Sequence, residues 1–185
     1  MRDLTVDRFF AVLALLLAAT TVVVAAALVV RRTRPEGAVA RRLDDVSDAA
    51  LWLAWAVAAV TSSGSLYYSL VRHYDPCELC WYQRICMYPL AVILFVAARR
   101  RTPAIRRYVW PQIAVGAVIA AYQTQLQAFP SQQSFCPAAN PCTLRYVWQF
   151  GFVSLPLMDL VALTFIAVML VLARPAATSD ELGRP

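Results

Sequence analysis

The sequence has little charge, a single histidine and no lysine. Charged residues make up 15% of its 185 positions, whereas hydrophobic residues make up 61%, and the mean hydropathy is +0.58. A soluble domain contains roughly 45–50% apolar residues, so this chain carries more apolar surface than a soluble fold of its size could bury. A soluble protein is therefore excluded. The single histidine, His73, lies in a polar loop and is a poor candidate for a metal ligand or a catalytic base.

Five apolar segments predict an all-α integral membrane protein, because about 20 helical residues cross the hydrocarbon core of a bilayer. These predicted spans cover residues 9–30, 49–71, 81–98, 108–129 and 152–173. The first is longer than the apolar core of a signal peptide, which is roughly 7–15 residues. The run Ala25-Ala26-Ala27 nevertheless leaves a cleaved signal peptide open as an alternative.

The distribution of arginine predicts the orientation in the membrane. All 17 basic residues are arginines; twelve lie in the loops after the first and third spans and in the tail, and five lie on the opposite side. The positive-inside rule places the twelve in the cytoplasm. We expect a plasma-membrane protein with its N-terminus outside and its C-terminus inside. The arginines beside the apolar segments account for the net charge of +6. We therefore expect the protein to contact membrane lipid and not nucleic acid.

The expected organisation has three parts. Residues 1–48 form an N-terminal transmembrane helix and an arginine-rich cytoplasmic loop, residues 49–173 form a four-helix membrane domain, and residues 174–185 form a disordered cytoplasmic tail. A small polar stretch within the second span, residues 61–65, indicates close helix packing in preference to a substrate path.

The main chemical motif is Cys77-Glu78-Leu79-Cys80, at the start of the third span. The unpaired N–H groups and the dipole at a helix N-terminus favour the thiolate, the reactive form in disulfide exchange. A zinc site could use the same spacing but needs four ligands in a tetrahedral array. We therefore interpret this motif as a redox dithiol on the oxidising, extracytoplasmic side.

A second cysteine pair, Cys136 and Cys142, encloses two prolines and an asparagine, which favour a tight turn that brings the thiols within bonding range. A static disulfide that only staples the loop is the alternative. Two dithiols on one face indicate a relay by thiol–disulfide exchange. Oxygen reacts slowly with thiols, so a lipid-soluble quinone is the natural electron acceptor.

Two charged residues and one cysteine lie within the predicted spans. Arg84 follows Cys80 by four residues on the same helix face, where it could stabilise a thiolate, bind a carbonyl oxygen of the acceptor, or extend to the lipid headgroups. Asp159 could pair with Arg84, take part in proton movement or reach the interface. Cys86 is expected to be a packing residue.

The run Cys77-Glu78-Leu79-Cys80-Trp81-Tyr82-Gln83-Arg84, with the following Met87-Tyr88-Pro89, resembles the signature of the DsbB family, the disulfide bond formation protein B family. Pro141-Cys142, Phe150-Gly151-Phe152 and Leu155-Pro156 resemble its BdbC branch. The resemblance spans about residues 49–173. The first span precedes the family pattern, and Asp159 has no counterpart in it.

The resemblance implies a DsbB-like four-helix bundle, here with one extra N-terminal transmembrane helix. It also implies a quinone-dependent thiol:disulfide oxidoreductase. Such an enzyme reoxidises an extracytoplasmic thioredoxin-like dithiol oxidase of the DsbA or BdbD kind and reduces ubiquinone or menaquinone, which supports disulfide formation in exported proteins. By position, Cys136 forms the mixed disulfide with the partner, Cys142 exchanges with Cys77, and Cys80 passes electrons to the quinone beside Arg84.

Three other functions remain open at this stage. A vitamin K epoxide reductase-like protein also carries thiol pairs on a four-helix bundle, although its C-x-x-C comes late in the chain. A protein that delivers reductant outward normally needs an intramembrane cysteine pair, and only Cys86 is available here. A non-enzymatic scaffold stapled by disulfides predicts that Cys77 and Cys80 stay static under reductant.

Overall fold

The computed structural model describes residues 2–102, 105–134, 136–137 and 139–173, with side chains from residue 5 onward. Six helices form in these ranges: α1 (Arg2–Thr33), α2 (Ala38–Ser47), α3 (Ala50–Leu70), α4 (Glu78–Arg100), α5 (Arg106–Ala128) and α6 (Leu155–Leu172). The ranges contain no β-strand, so the all-α prediction is confirmed for this part of the chain. The predicted tail at 174–185 lies outside the described residues.

Helices α3 to α6 form a closed four-helix bundle, in which α3 contacts α4, α4 contacts α5, α5 contacts α6, and α6 contacts α3. Helix α1 packs on the outside of this bundle, mainly against α6. Consecutive helices of the bundle are antiparallel neighbours, so the loops at 71–77 and 129–154 meet at the same end. We call this the thiol end and the opposite end the far end.

Four helices within the described ranges are long and apolar enough to cross a membrane: α1, α3, α4 and α6. Together they make the chain a multi-pass membrane protein. Helix α5, which corresponds to the predicted fourth span, has 23 residues but is not among these four. Its glutamines, Gln112, Gln123, Gln125 and Gln127, lower its hydropathy. Two of them, Gln123 and Gln127, are buried within the protein.

The core of the bundle is apolar from its middle to the far end, with Leu90, Leu94, Leu163 and Ile166 fully buried. Gly116 of α5 lets three helices approach here. A Cβ atom at this position would lie 3.1 Å from the Cβ of Cys86 and 3.1 Å from a methyl group of Leu163. Cys86 is buried at this contact, in agreement with its expected packing role.

The segment expected to be a cytoplasmic loop within residues 1–48 contains helix α2. Ala40, Leu43 and Ser47 recur at helical spacing and are buried, while arginines and aspartates occupy the other face. The charged residues made the segment resemble a solvated loop, but its apolar face packs against the bundle. Arg31 of α1 forms an ion pair with Asp44 at 3.4 Å, which ties α2 to the preceding helix.

Candidate functional site

The first cysteine pair begins α4 at the thiol end. Cys77 is the N-cap residue, with extended backbone, and Cys80 lies in the first helical turn. Both are thiols, and their sulfur atoms are 3.0 Å apart. The helix N-terminus therefore directs its unpaired N–H groups and its dipole toward this pair.

Cys77 is buried, whereas Cys80 is partly exposed. The hydrogen bond with Cys80, together with burial, raises the pKa of Cys77 well above its usual range. Cys80 is the more accessible cysteine of the pair.

Gln123 of α5 supplies further donors to the pair. Its amide nitrogen lies 3.2 Å from the sulfur of Cys77 and 3.3 Å from that of Cys80. Its amide oxygen accepts a hydrogen bond of 2.8 Å from Gln83 of α4. Both glutamines are buried, so each polar group requires its partner. The network fixes both sulfurs relative to two helices.

The sequence analysis did not identify Gln123 as a site residue. A detectable signal was present, because a glutamine in an otherwise apolar stretch of α5 must find a polar partner inside the protein. The partner itself, 40 residues away in Gln83, could not be read from local spacing.

The second pair, Cys136 and Cys142, forms a disulfide with Cα atoms 5.9 Å apart. The turn between the two cysteines is closed by a backbone hydrogen bond from Asn140 to Pro137 at 3.1 Å. The side-chain amide of Asn140 donates to the carbonyl oxygen of Pro76 at 3.2 Å. This bond anchors the second pair beside the residue that precedes Cys77.

The structure brings both pairs into one cluster. Cys77 and Cys142 are buried in it together with Leu79 and Leu126, and Cys80 and Cys136 pack against it. Cys142 is 1% exposed, while Cys136 is only partly buried. A protein that approaches from outside would reach Cys136 before Cys142.

Stacked tyrosines connect the loops at 71–77 and 129–154 to α3. The ring of Tyr74 stacks on Tyr68 with centroids 5.8 Å apart and on Tyr146 at 4.6 Å. The hydroxyl of Tyr146 donates to the carbonyl oxygen of Asp75 at 3.1 Å. The two loops of the thiol end are thus held together just before Cys77.

Arg84 lies one turn after Cys80 and points toward α3. Its Nε donates to the hydroxyl of Ser65 at 3.0 Å, and its Nη2 donates to the carbonyl oxygen of Ser65 and to the hydroxyl of Ser69. Its guanidinium carbon lies 5.2 Å from the ring centroid of Trp81. Nη1 makes no hydrogen bond within the described part of the chain and stays available.

These contacts extend the interpretation of the small polar stretch in α3. We expected residues 61–65 to serve close helix packing, and Gly64 does pack closely against Phe10 of α1. In addition, Ser65 holds Arg84, and Thr61, Gly64 and Ser65 line a cavity. The small side chains leave room for that space.

The cavity has a volume of about 300 Å³ and lies between α1, α3, α4 and α6. Its walls at the thiol end include Cys80 and Arg84, but not Cys77. Toward the far end its walls are apolar, with Val57 and Ala56 among them. Val57 and Ser69 both line it, and 12 residues of helix correspond to roughly 18 Å. The space is therefore elongated along the bundle.

Asp159 of α6 also lines the cavity. Its Oδ2 atom is buried and has no hydrogen-bond partner among the described residues. No ion pair joins it to Arg84 in this part of the chain, so the pairing that the sequence suggested is not formed.

The geometry defines a class: multi-pass helical membrane proteins with two cysteine pairs at one end of the bundle and an internal cavity that reaches one of them. The model of the family "Disulfide bond formation protein DsbB" matches residues 47–173. The chain belongs to the DsbB family, whose members are disulfide-forming oxidoreductases. This membership replaces the vitamin K epoxide reductase-like alternative.

Curated relatives agree with this assignment. "Disulfide bond formation protein C" of Bacillus subtilis (strain 168) is 37% identical over 126 residues, which cover 67% of this chain and 91% of the relative. "Probable disulfide formation protein" of Coxiella burnetii (strain Dugway 5J108-111) is 36% identical over 138 residues, covering 73% and 92%. That of Chlamydia pneumoniae is 37% identical over 125 residues, covering 68% and 91%. No solved structure gives a significant match.

Proposed function

We propose that this protein reoxidises an extracytoplasmic thioredoxin-like dithiol oxidase and passes the electrons, through its two cysteine pairs, to a membrane quinone. The observation that carries the proposal is the position of Cys80. It belongs to the cluster that contains both cysteine pairs, and it also lines the elongated cavity. Cys77, its partner, does not line that cavity.

The exposure of the cysteines suggests the order of exchange. A thiolate of the partner attacks the sulfur of Cys136 and releases Cys142 as a thiolate. Cys142 then attacks an oxidised Cys77–Cys80 pair at Cys77 and releases Cys80. The second cysteine of the partner then attacks the partner–Cys136 disulfide and releases Cys136, which attacks Cys142, releases Cys77 and re-forms the Cys136–Cys142 disulfide. In sum, the partner dithiol becomes a disulfide and the Cys77–Cys80 disulfide becomes a dithiol, with two electrons and two protons transferred. The burial of Cys142 and Cys77 in one cluster supports this order.

The residues around the cavity fit a quinone. A volume of about 300 Å³ lies at the lower end of the roughly 300–1,000 Å³ typical of small-molecule sites. Its walls are mostly apolar, with polar groups of Arg84, Ser65 and Asp159. Arg84 would hold the head group through the free Nη1, while Ser65 and Ser69 keep the guanidinium in place. A bound quinone would supply a sink for two electrons and two protons.

The orientation proposed here sets the thiol end on the extracytoplasmic side. The arginine clusters of the loops at 31–48 and 99–107 lie at the far end, opposite to both cysteine pairs. Under the positive-inside rule, the far end then faces the cytoplasm. A reporter enzyme that works only outside the cytoplasm should therefore be active when it is fused to the loop at 129–154.

The test is quinone reduction by the purified protein in detergent, without oxygen, with a reduced thioredoxin-like oxidase as donor. The parent should turn over, and Cys80→Ser should abolish turnover. Cys86→Ser is the matched control, because Cys86 is a buried thiol of the same helix that lies at a packing contact. The absence of turnover with both a benzoquinone and a naphthoquinone, while the Cys136–Cys142 disulfide resists reductant, would instead identify a stapled scaffold.

A further inference from the structure

Helix α1 lies outside residues 47–173, which the family model covers, yet it forms a wall of the cavity. Phe10, Leu13, Ala14 and Leu17 line the space from this side. They recur at the three- and four-residue spacing of one helix face. Their neighbours Phe9 and Leu16 are each 61% exposed and do not line it.

A buried hydrogen bond fixes the position of α1 along the bundle. The hydroxyl of Tyr68 in α3 donates to Oδ1 of Asp7 at 3.0 Å, and both side chains are buried. An unpaired carboxylate or hydroxyl in apolar surroundings is costly, so sliding of α1 along α3 is opposed. The ring of Phe10 lies 6.0 Å from that of Tyr68.

Gly64 extends this contact. A Cβ atom at Gly64 would lie 3.4 Å from the ring of Phe10, so the two helices approach closely at this level. Asp7 meets Tyr68 and Phe10 meets Gly64, so α1 and α3 are antiparallel. Phe10 is therefore level with Ser65, which holds Arg84, and Leu17 lies further along, toward Val57.

We propose that α1 is part of the quinone site: Leu13 and Leu17 bind the isoprenoid chain of a quinone whose head group lies beside Cys80 and Arg84. This inference rests on the proposed function. All four residues that α1 contributes are apolar, whereas the polar residues of the cavity belong to the other helices and to the two loops of the thiol end. The elongated shape, with polar groups at one end, suits a ring with an attached hydrocarbon chain. The helix thus adds affinity for the chain and none for the ring.

The test measures equilibrium binding to the full-length protein in detergent, with no thiol donor. The probes are a naphthoquinone that carries an isoprenoid chain and the same ring with only a methyl group. The variant Leu13→Ala/Leu17→Ala should lower affinity for the chain-bearing probe by about 10-fold, from the apolar contact that is lost. Its affinity for the chainless ring should stay within about 2-fold of the parent value. Leu15→Ala/Leu16→Ala is the matched control, because neither residue lines the cavity.

A second variant guards against misfolding of the first. Ala14→Phe places a large side chain in the part of the cavity that α1 lines. It should weaken binding of the chain-bearing probe, while the chainless ring should still bind. Equal affinities of the parent and both variants for the chain-bearing probe would overturn the role of α1. The wall that α1 forms would then face a lipid acyl chain and not the isoprenoid chain of a quinone. The proposed function would then stand. Failure of the parent to bind either probe would overturn both.

Discussion

The two ends of the bundle differ in how they are held together. At the far end, the helices contact one another through fully buried apolar side chains such as Leu94 and Leu170. At the thiol end, a small cluster contains the four sulfurs of two cysteine pairs, and it is tied by side-chain hydrogen bonds from Gln123 and Asn140. Apolar packing tolerates changes that keep volume, whereas a polar network has specific partners. The far end thus supplies stability, and the thiol end holds the groups to which the proposed function assigns the chemistry.

The strongest test of this contrast removes a buried sulfur. Cys142→Ser should lower quinone reduction by the protein donor on the order of 10³-fold, the scale seen when one member of a group that acts as a unit is lost. Turnover driven by dithiothreitol, a small thiol that can reduce the Cys77–Cys80 pair directly, should persist. Equal loss with both donors would show that Cys142 is needed for the fold and not for exchange.

The matching change at the far end should affect stability. Leu94 is fully buried, so Leu94→Ala should destabilise the protein by about 2–5 kcal/mol through lost contact and a cavity. Unfolding in a denaturing detergent measures the loss. Turnover by the remaining folded protein should equal that of the parent. A folded Leu94→Ala variant without activity would contradict the division between the two ends.

Arg84 tests the polar end of the cavity. Arg84→Gln should raise the apparent KM for quinone by about 10- to 100-fold, because a hydrogen bond to a charged group contributes about 1.5–3 kcal/mol. Steady-state kinetics at varied quinone concentration give the value. Arg99→Gln, at the far end of the same helix, should leave KM unchanged. A fall in kcat alone would assign Arg84 to the thiols and not to the quinone.

The smallest effect is expected from Gln123. Gln123→Leu removes the amide that donates to both sulfurs and thereby stabilises a thiolate at Cys80. A neutral hydrogen bond contributes about 0.5–1.5 kcal/mol. In the reduced protein, alkylation of Cys80 by iodoacetamide at neutral pH should slow by about 3- to 10-fold. Gln125→Leu, an exposed position of the same helix, is the control. An unchanged rate would mean that the glutamine network serves packing only.

The features of the fold that the sequence predicted are those set by local sequence, whereas those it missed depend on contacts between distant residues. Hydropathy predicted the five helices that became α1, α3, α4, α5 and α6, because an apolar segment of sufficient length suits a membrane span. Helix α2 was missed because its charged residues concealed a buried face. The motif around Cys77 was recognisable because its residues are neighbours in sequence.

Contacts between distant residues were not recognisable in this way. The hydrogen bonds from Gln83 to Gln123 and from Arg84 to Ser65 join residues 40 and 19 positions apart. The cavity depends on four helices at once. No local pattern records which small residues of α3 face an arginine of α4, so the sequence showed the reactive groups but not their surroundings.

The most direct test of the relay is a disulfide map of one variant. Cys80→Ser, Cys136→Ser and Cys86→Ser together leave only Cys77 and Cys142, which are buried in the same cluster. After mild oxidation, peptide mass spectrometry should find these two joined in a disulfide, and alkylating reagents should not label them. Two free, labelled thiols in a folded protein would contradict exchange between the pairs.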